Sequence, residues 1–183
     1  MIERPASVGR GIWLVAQGRP EGIGCFRGTA RAFFTSLIPM LAFAIMAAAI
    51  LLARGKQHEA AAQLLSAPAS VLAGPLASHF VAVRLGREAN WARYATAANW
   101  SQWGYLMLIL IALALWTGGF ALAPIVLLAV LIYAIWLQLF LARSALALDW
   151  PWAALVVLAV VAANFVFVLT PTLLVSLLTR AGG

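Results

Sequence analysis

The chain has 183 residues, of which 65% are hydrophobic and only 9% are charged. Soluble globular proteins are roughly 45–50% apolar and about 25% charged, so a single water-soluble domain of this length could not bury so many apolar side chains. The same composition excludes a disordered chain, a collagen, a disulfide scaffold and a coiled coil. A polytopic membrane protein is the class that remains.

The net charge of +7 does not indicate nucleic acid as a partner. A nucleic-acid-binding surface gathers Lys and Arg into a compact stripe, whereas the eleven Arg and one Lys of this chain are scattered between the apolar runs. Cys25 is the single cysteine, so neither an internal disulfide nor a cysteine metal cluster can form. We interpret the basic residues as a signal for orientation in the membrane.

Residues 1–32 form a basic segment before the apolar runs, and they lack the apolar core of a cleavable secretion signal. The apolar residues 12–15, followed by a Gly-Arg-Pro turn at 18–20, predict a short amphipathic helix and a turn in the headgroup layer. Trp13 and Phe26 would then lie at the membrane interface. An irregular cytoplasmic tail is the alternative.

The rest of the chain, residues 33–183, is predicted to be an all-α bundle of five transmembrane helices. One crossing needs about 20 apolar residues, because the hydrocarbon core is ~30 Å thick and an α-helix rises ~1.5 Å per residue. Gly118 and Gly119, followed by Pro124, break an uncharged stretch that is too long for one crossing. The predicted spans are about 33–53, 61–83, 98–116, 122–142 and 152–178.

The basic residues orient these spans, because Lys and Arg in short loops are retained in the cytoplasm. Nine of the twelve lie before the first span, between the second and third spans, or between the fourth and fifth. Arg54, Lys56 and Arg180 lie on the other side. This distribution predicts a cytoplasmic N-terminus and a C-terminus across the membrane.

The sequence contains no set of residues that indicates catalysis. The two histidines, His58 and His79, are too far apart for a local metal motif, and no glycine-rich loop for phosphate is present. The acidic residues all lie in the tail or the loops: Glu3, Glu21, Glu59, Glu88 and Asp149. We therefore predict no enzymatic activity, no metal site and no cofactor.

Small residues recur every fourth position in the second span. Because such spacing lets helix backbones approach closely in lipid, they predict a helix-packing seam, made of Ser66, Ser70, Gly74 and Ser78. Pro68 and Pro75 are expected to kink this helix and to free backbone carbonyls. An alternative is that the kinked helix, together with His79, lines a polar path.

Polar residues crowd the cytoplasmic entrance to the third span. We call them the collar: Arg84, Arg87, Arg93, Asn99, Trp100 and Gln102. Polar side chains near the hydrocarbon are costly unless paired, so Asn99, Ser101 and Gln102 are expected to bond to one another or to the second helix. The arginines could hold an anionic lipid headgroup, or they could serve only to orient the protein.

Four stretches carry a resemblance to a known group of proteins: GIWLVAQGRPEGI, RGTARAFFTSLIP, HFVAVRLGRE and WARYATAANWSQ. Their order resembles that of small five-span inner-membrane proteins of proteobacteria, which are similar in layout to the Yip1 superfamily. The resemblance implies a bacterial inner-membrane location, a cytoplasmic N-terminus, no enzymatic activity, and a role in membrane organisation or partner binding. The eukaryotic signature of that superfamily is reduced here to Gly74-Pro75-Leu76, so no small-GTPase partner is implied.

Two functional hypotheses follow. In the first, the protein is a non-enzymatic inner-membrane protein that acts in membrane organisation, or as an accessory or oligomeric subunit of a membrane assembly. Its partners would be the lipid bilayer, including anionic lipids, and further copies of itself or other membrane-protein subunits. In the second, it is a small transporter or channel with a polar path between the second and third helices, lined by His79, Asn99 and Gln102.

Overall fold

A computed structural model describes the backbone of residues 7–181 and the side chains of residues 7–166. Every regular element in that part of the chain is helical. A 3-10 turn, Pro20–Cys25, follows the first helix. The helices in chain order are α1 (Val8–Ala16), α2 (Ala30–Ala53), α3 (Gln57–Arg84), α4 (Glu88–Thr117), α5 (Ala123–Leu146) and α6 (Trp150–Ala181).

Local sequence signals set the ends of these helices. The hydroxyl of Thr29 accepts the backbone N–H of Ala32 at 3.2 Å and caps the start of α2. Gly86 and Gly119 follow α3 and α4 with φ of +68° and +78°, a left-handed conformation that glycine adopts without steric cost. The predicted break between the third and fourth spans is therefore confirmed at residues 118–119.

Four helices, α2 to α5, are long and apolar enough to cross a membrane. They contain the first four predicted spans, except that residue 122 of the fourth span lies just before α5. Helix α4 begins ten residues before its predicted span, because helical structure starts directly after the turn at Gly86 and continues through polar residues. The fifth predicted span lies on α6, whose stretch Trp150–Val166 is apolar but shorter than these four helices.

The helices pack as antiparallel neighbours around a shared core. The most extensive contacts join α3 to α6, α4 to α5, and α2 to α3. Large apolar side chains remain exposed along the outer faces of the helices, among them Ile45, Ile111, Ile132 and Leu158. A soluble monomer rarely exposes so much contiguous apolar surface, so these faces are suited to contact with lipid.

The N-terminal segment is docked on the bundle. Val15, Ile23 and Phe26 are buried in the same core as Leu137 and Leu141 of α5. The hydroxyl of Tyr133 on α5 donates a hydrogen bond to the carbonyl oxygen of Ala16 at 2.8 Å.

The two aromatic residues of this segment differ in their surroundings. Phe26 is covered by the protein, with only 2% of the residue exposed, so its ring is not available for contact with lipid headgroups. Its ring packs against Gly11, where an added Cβ would come within 2.8 Å of it. Trp13, by contrast, is 65% exposed.

Candidate functional site

Of the four residues of the predicted packing seam, Gly74 lies where α3 contacts α6. Gly74 and Ser78 are buried, whereas Ser66 and Ser70 are half-buried. A Cβ added to Gly74 would lie 3.3 Å from Cγ1 of Val160 on α6, so the two helices approach closely at this glycine. Helix α3 remains continuous through both prolines.

The seam serines bond mainly within their own helix. The hydroxyls of Ser66, Ser70 and Ser78 donate to the carbonyl oxygens three residues earlier, at 3.3, 3.0 and 2.9 Å. Ser78 also accepts a hydrogen bond from Nε1 of Trp91 on α4 at 3.1 Å. Of the three hydroxyls, Ser78 alone therefore links helices in the described part of the structure.

A cavity of about 50 Å³ lies at the centre of the bundle, between α2, α3, α4, α5 and α6. Four carboxamide side chains line it, from three different helices: Asn99 and Gln102 on α4, Gln138 on α5 and Asn164 on α6. Ser70, Gly74 and Ser78 of the seam line its α3 wall. We call this space the central cavity; it has room for about three water molecules.

The central cavity lies well inside the bundle. Gly74 is ten residues before the end of α3 and Gln138 is eight residues before the end of α5. At ~1.5 Å per residue, these positions are roughly 12–15 Å from the end of the bundle that carries the 85–87 and 147–149 loops. If α3 and α5 cross the membrane, the carboxamides lie within the hydrocarbon depth, where unpaired polar groups are costly.

Two of the four carboxamides have hydrogen-bond partners on other helices. Nδ2 of Asn99 donates to the hydroxyl of Ser36 on α2 at 2.9 Å, and both residues are buried. Nε2 of Gln138 donates to the hydroxyl of Tyr105 on α4 at 3.3 Å. Asn99 was expected to bond to its neighbours or to α3; it bonds to α2, because the first half of α4 packs beside α2 as well.

A second cavity, of about 370 Å³, adjoins the central cavity. It shares five lining residues with the central cavity, Met40, Ser70, Val71, Gln102 and Asn164, and we call it the side cavity. Its remaining wall is largely apolar and includes Phe43, Ala44, Trp103 and Leu106, with Gln63 adding a further carboxamide. The volume falls within the ~300–1,000 Å³ typical of small-molecule sites.

His79 does not line either cavity. Its ring packs against Trp91, with ring centroids 4.5 Å apart, and Trp91 packs in turn against Phe33 at 5.1 Å. Nδ1 of His79 is buried and has no partner among the described residues. His79 therefore packs among aromatic side chains and is not in the wall of either cavity.

The collar does not form one surface. Asn99 and Gln102 line the central cavity, Trp100 is half-buried, and Arg84, Arg87 and Arg93 are exposed. The guanidinium carbon of Arg84 lies 4.8 Å from the centre of the Phe80 ring, a cation–π contact within α3. The collar arginines thus lie apart from its carboxamides.

Arginines instead line a pocket between the N-terminal segment, α2 and α4. This space, which we call the basic pocket, has a volume of about 240 Å³ and includes Arg27 and Arg31 in its wall. Three hydroxyl side chains and an indole also line it, from Thr29, Thr35, Thr96 and Trp100. Arg93 is not in its wall but packs against Gly28, which lies between the lining residues Arg27 and Thr29 in the sequence.

The arginines of the basic pocket have no acidic partner among the described side chains. The ion pairs found there are Arg19–Glu21 and Lys56–Glu59. The pocket is therefore electropositive, and its hydroxyls and indole add neutral polar groups. This combination suits an anionic group that carries several oxygens, since guanidinium groups bind phosphate well.

Comparison of the chain with known protein families, with curated proteins and with solved structures finds no match. The site must therefore be interpreted from its own geometry. The sequence pattern singled out Asn99, Gln102 and the seam; the structure brings Asn99 and Gln102 together with three of the four seam residues, Ser70, Gly74 and Ser78, around the central cavity. It missed Gln138, Trp103, Arg27 and Arg31 as lining residues, because isolated polar residues in separate helices carry no local spacing signal.

Proposed function

We propose that this protein is a non-enzymatic, five-span protein of the bacterial inner membrane, of Yip1-like type. It acts in membrane organisation, as a homo-oligomer or as a subunit of a membrane assembly. Its N-terminus is cytoplasmic, and its basic pocket binds the headgroup of an anionic lipid. The observation that carries this proposal is the presence of Arg27 and Arg31, without acidic partners among the described side chains, in the wall of one pocket.

The distribution of charge between the two ends of the bundle supports this orientation. Six described arginines lie at the end where α2, α4 and α6 begin: Arg27, Arg31, Arg84, Arg87, Arg93 and Arg143. Arg54 and Lys56 lie in the α2–α3 turn at the opposite end. Because cationic loops remain in the cytoplasm, the basic pocket would face the anionic cytoplasmic leaflet.

The expected strength of headgroup binding can be bounded. Each Lys or Arg near an anionic membrane surface contributes ~1 kcal/mol. Two arginines together therefore account for ~2 kcal/mol, which corresponds to roughly 30-fold in affinity. The indole of Trp100 adds an amphipathic group of the kind that lies at headgroup level.

A lipid-binding measurement tests the proposal. Purified protein in a neutral detergent is titrated with phosphatidylglycerol and, separately, with phosphatidylcholine. We expect preference for phosphatidylglycerol, and the double variant Arg27→Gln, Arg31→Gln is expected to weaken it roughly tenfold to 30-fold. The matched control is Arg54→Gln, Lys56→Gln, which removes two cations from the opposite end; equal losses in the two variants would contradict the proposal.

The central cavity favours a second candidate function, a small transporter or channel for uncharged polar solutes. Neutral carboxamides offer hydrogen bonds without attracting ions strongly. Swelling of proteoliposomes in isosmotic glycerol measures such a flux directly. Solute entry that depends on the protein and is lost in Gln102→Leu would support this function, and swelling equal to that of empty liposomes would eliminate it.

A further inference from the structure

We infer that the side cavity is a binding site for an uncharged amphiphile that enters from the bilayer. This ligand has an apolar body and a polar group with a hydrogen-bond-accepting oxygen, such as the carbonyl or hydroxyl of a monoacylglycerol. The side cavity differs from the basic pocket in location and charge, since the two share no lining residue. The inference therefore does not rest on the proposed headgroup binding.

The chemistry of the lining defines the charge of the ligand. No Asp, Glu, Lys, Arg or His is among the described residues that line the side cavity. An ion placed there would lose its hydration without gaining a countercharge, which is costly inside a membrane protein. An uncharged ligand avoids this cost.

Carboxamides define the polar group of the ligand. Gln102 and Asn164 line the side cavity, and Gln63 adds a third carboxamide. Their amides can both donate and accept, so a carbonyl or hydroxyl oxygen of the ligand can bond to them. Nε1 of Trp103 is buried without a partner among the described residues, and because it is shielded from the cavity it takes no part in this bond.

The apolar wall defines the rest of the ligand. The rings of Phe43 and Trp103 meet edge to face with centroids 6.2 Å apart, and Val71 and Leu106 complete this wall. Such a surface gains little from a fully hydrated solute, whereas it matches the apolar chain of an amphiphile that partitions into the bilayer. The side cavity therefore fits a lipid-like molecule better than glycerol or acetamide.

Photolabelling tests this site. The purified protein in detergent is irradiated with a monoacylglycerol that carries a photoreactive group in its acyl chain, and labelled peptides are identified by mass spectrometry. We expect saturable labelling near Phe43 or Leu106 that unlabelled monoolein suppresses. Labelling that is not suppressed, or that falls only on outward-facing residues, would overturn the inference.

Two matched carboxamide variants isolate the proposed hydrogen bond. Gln102→Leu removes the amide from the side cavity and keeps a side chain of similar size, and we expect a fivefold to tenfold rise in the concentration of monoolein needed for half-suppression. Gln57→Leu makes the same change at an exposed position at the start of α3 and should cause no shift. Equal behaviour of the two variants would contradict the role of Gln102.

Further variants and competitors separate this site from others. Ala44→Phe fills the side cavity and should abolish specific labelling, whereas Arg27→Gln, Arg31→Gln should leave it unchanged. Oleate at pH 9 has a similar acyl chain and a charged head, and it should compete poorly. If millimolar glycerol or acetamide suppressed the labelling as effectively as monoolein, the site would bind aqueous solutes and not an amphiphile. That result would overturn the inference.

Discussion

At the scale of single residues, Gly74 shows how closely the helices approach in the interior. An added Cβ would lie 3.3 Å from Val160 Cγ1 and 3.5 Å from Nδ2 of Asn164. Gly74→Leu is therefore expected to destabilise the bundle by ~1–3 kcal/mol, the usual cost of forcing extra atoms into a packed site. Thermal unfolding of the purified protein in detergent measures this loss.

The control for Gly74→Leu lies on the same helix. Ala69 is exposed on α3, so Ala69→Leu adds a side chain of the same size on the outer face. Its melting temperature should stay close to that of the native protein. If both variants melt alike, the contact between α3 and α6 at Gly74 is not as close as the structure describes.

Single residues also show that the hydrogen-bond partners of buried polar side chains could not be predicted from the sequence. Asn99 was recognised as a polar residue that must face the bundle, because burial of an unpaired amide in lipid is costly. Its partner could not be predicted, since Ser36 lies 63 positions away. The Gln138–Tyr105 pair joins two helices as well. Such pairs depend on which helices become neighbours, and periodicity along one helix does not contain that information.

At the scale of elements, the N-terminal segment is part of the hydrophobic core. Phe26→Ala is expected to destabilise the protein by ~3–5 kcal/mol, because it removes a buried aromatic ring from contact with Gly11 and the core. Trp13→Ala, which removes an exposed ring from the same segment, should change the stability far less. Unfolding monitored by circular dichroism in detergent compares the two.

The comparison of Phe26 with Trp13 also distinguishes docking from simple adsorption to the membrane. If the segment only lay in the headgroup layer, both aromatic residues would anchor it to the same degree. Equal destabilisation in detergent, or none for either variant, would contradict the docked arrangement. The amphipathic pattern predicted a helix and a turn correctly, but it could not tell whether the apolar face meets lipid or protein.

At the scale of the whole molecule, the sequence predicted the class and most of the helices. Long apolar runs predict the crossings, because the bilayer thickness sets their length and because an α-helix pairs its own backbone polar groups inside lipid. The charges of the loops predict the orientation of these crossings. The cavities were not predictable in the same way. They arise where α2, α3, α4 and α6 leave space between side chains such as Met40 and Leu106, and that space depends on the relative placement of helices.

The number of crossings is the last property that can be tested at this scale. Helix α6 has 32 residues, Trp150–Ala181, which at ~1.5 Å per residue is ~48 Å and exceeds the ~30 Å hydrocarbon core. Its described part packs antiparallel to α3, with Val160 against Gly74. If α3 crosses the membrane, a partner of this length beside it is expected to cross as well.

Reporter fusions determine this number. Alkaline phosphatase joined after Gly183 should be active, because five crossings from a cytoplasmic N-terminus place the C-terminus in the periplasm, where this enzyme folds. Green fluorescent protein at the same position should be dark when exported unfolded. Fusions after Arg87 should give the opposite pair of results and serve as the internal control. A fluorescent, phosphatase-negative C-terminus would mean that α6 does not cross.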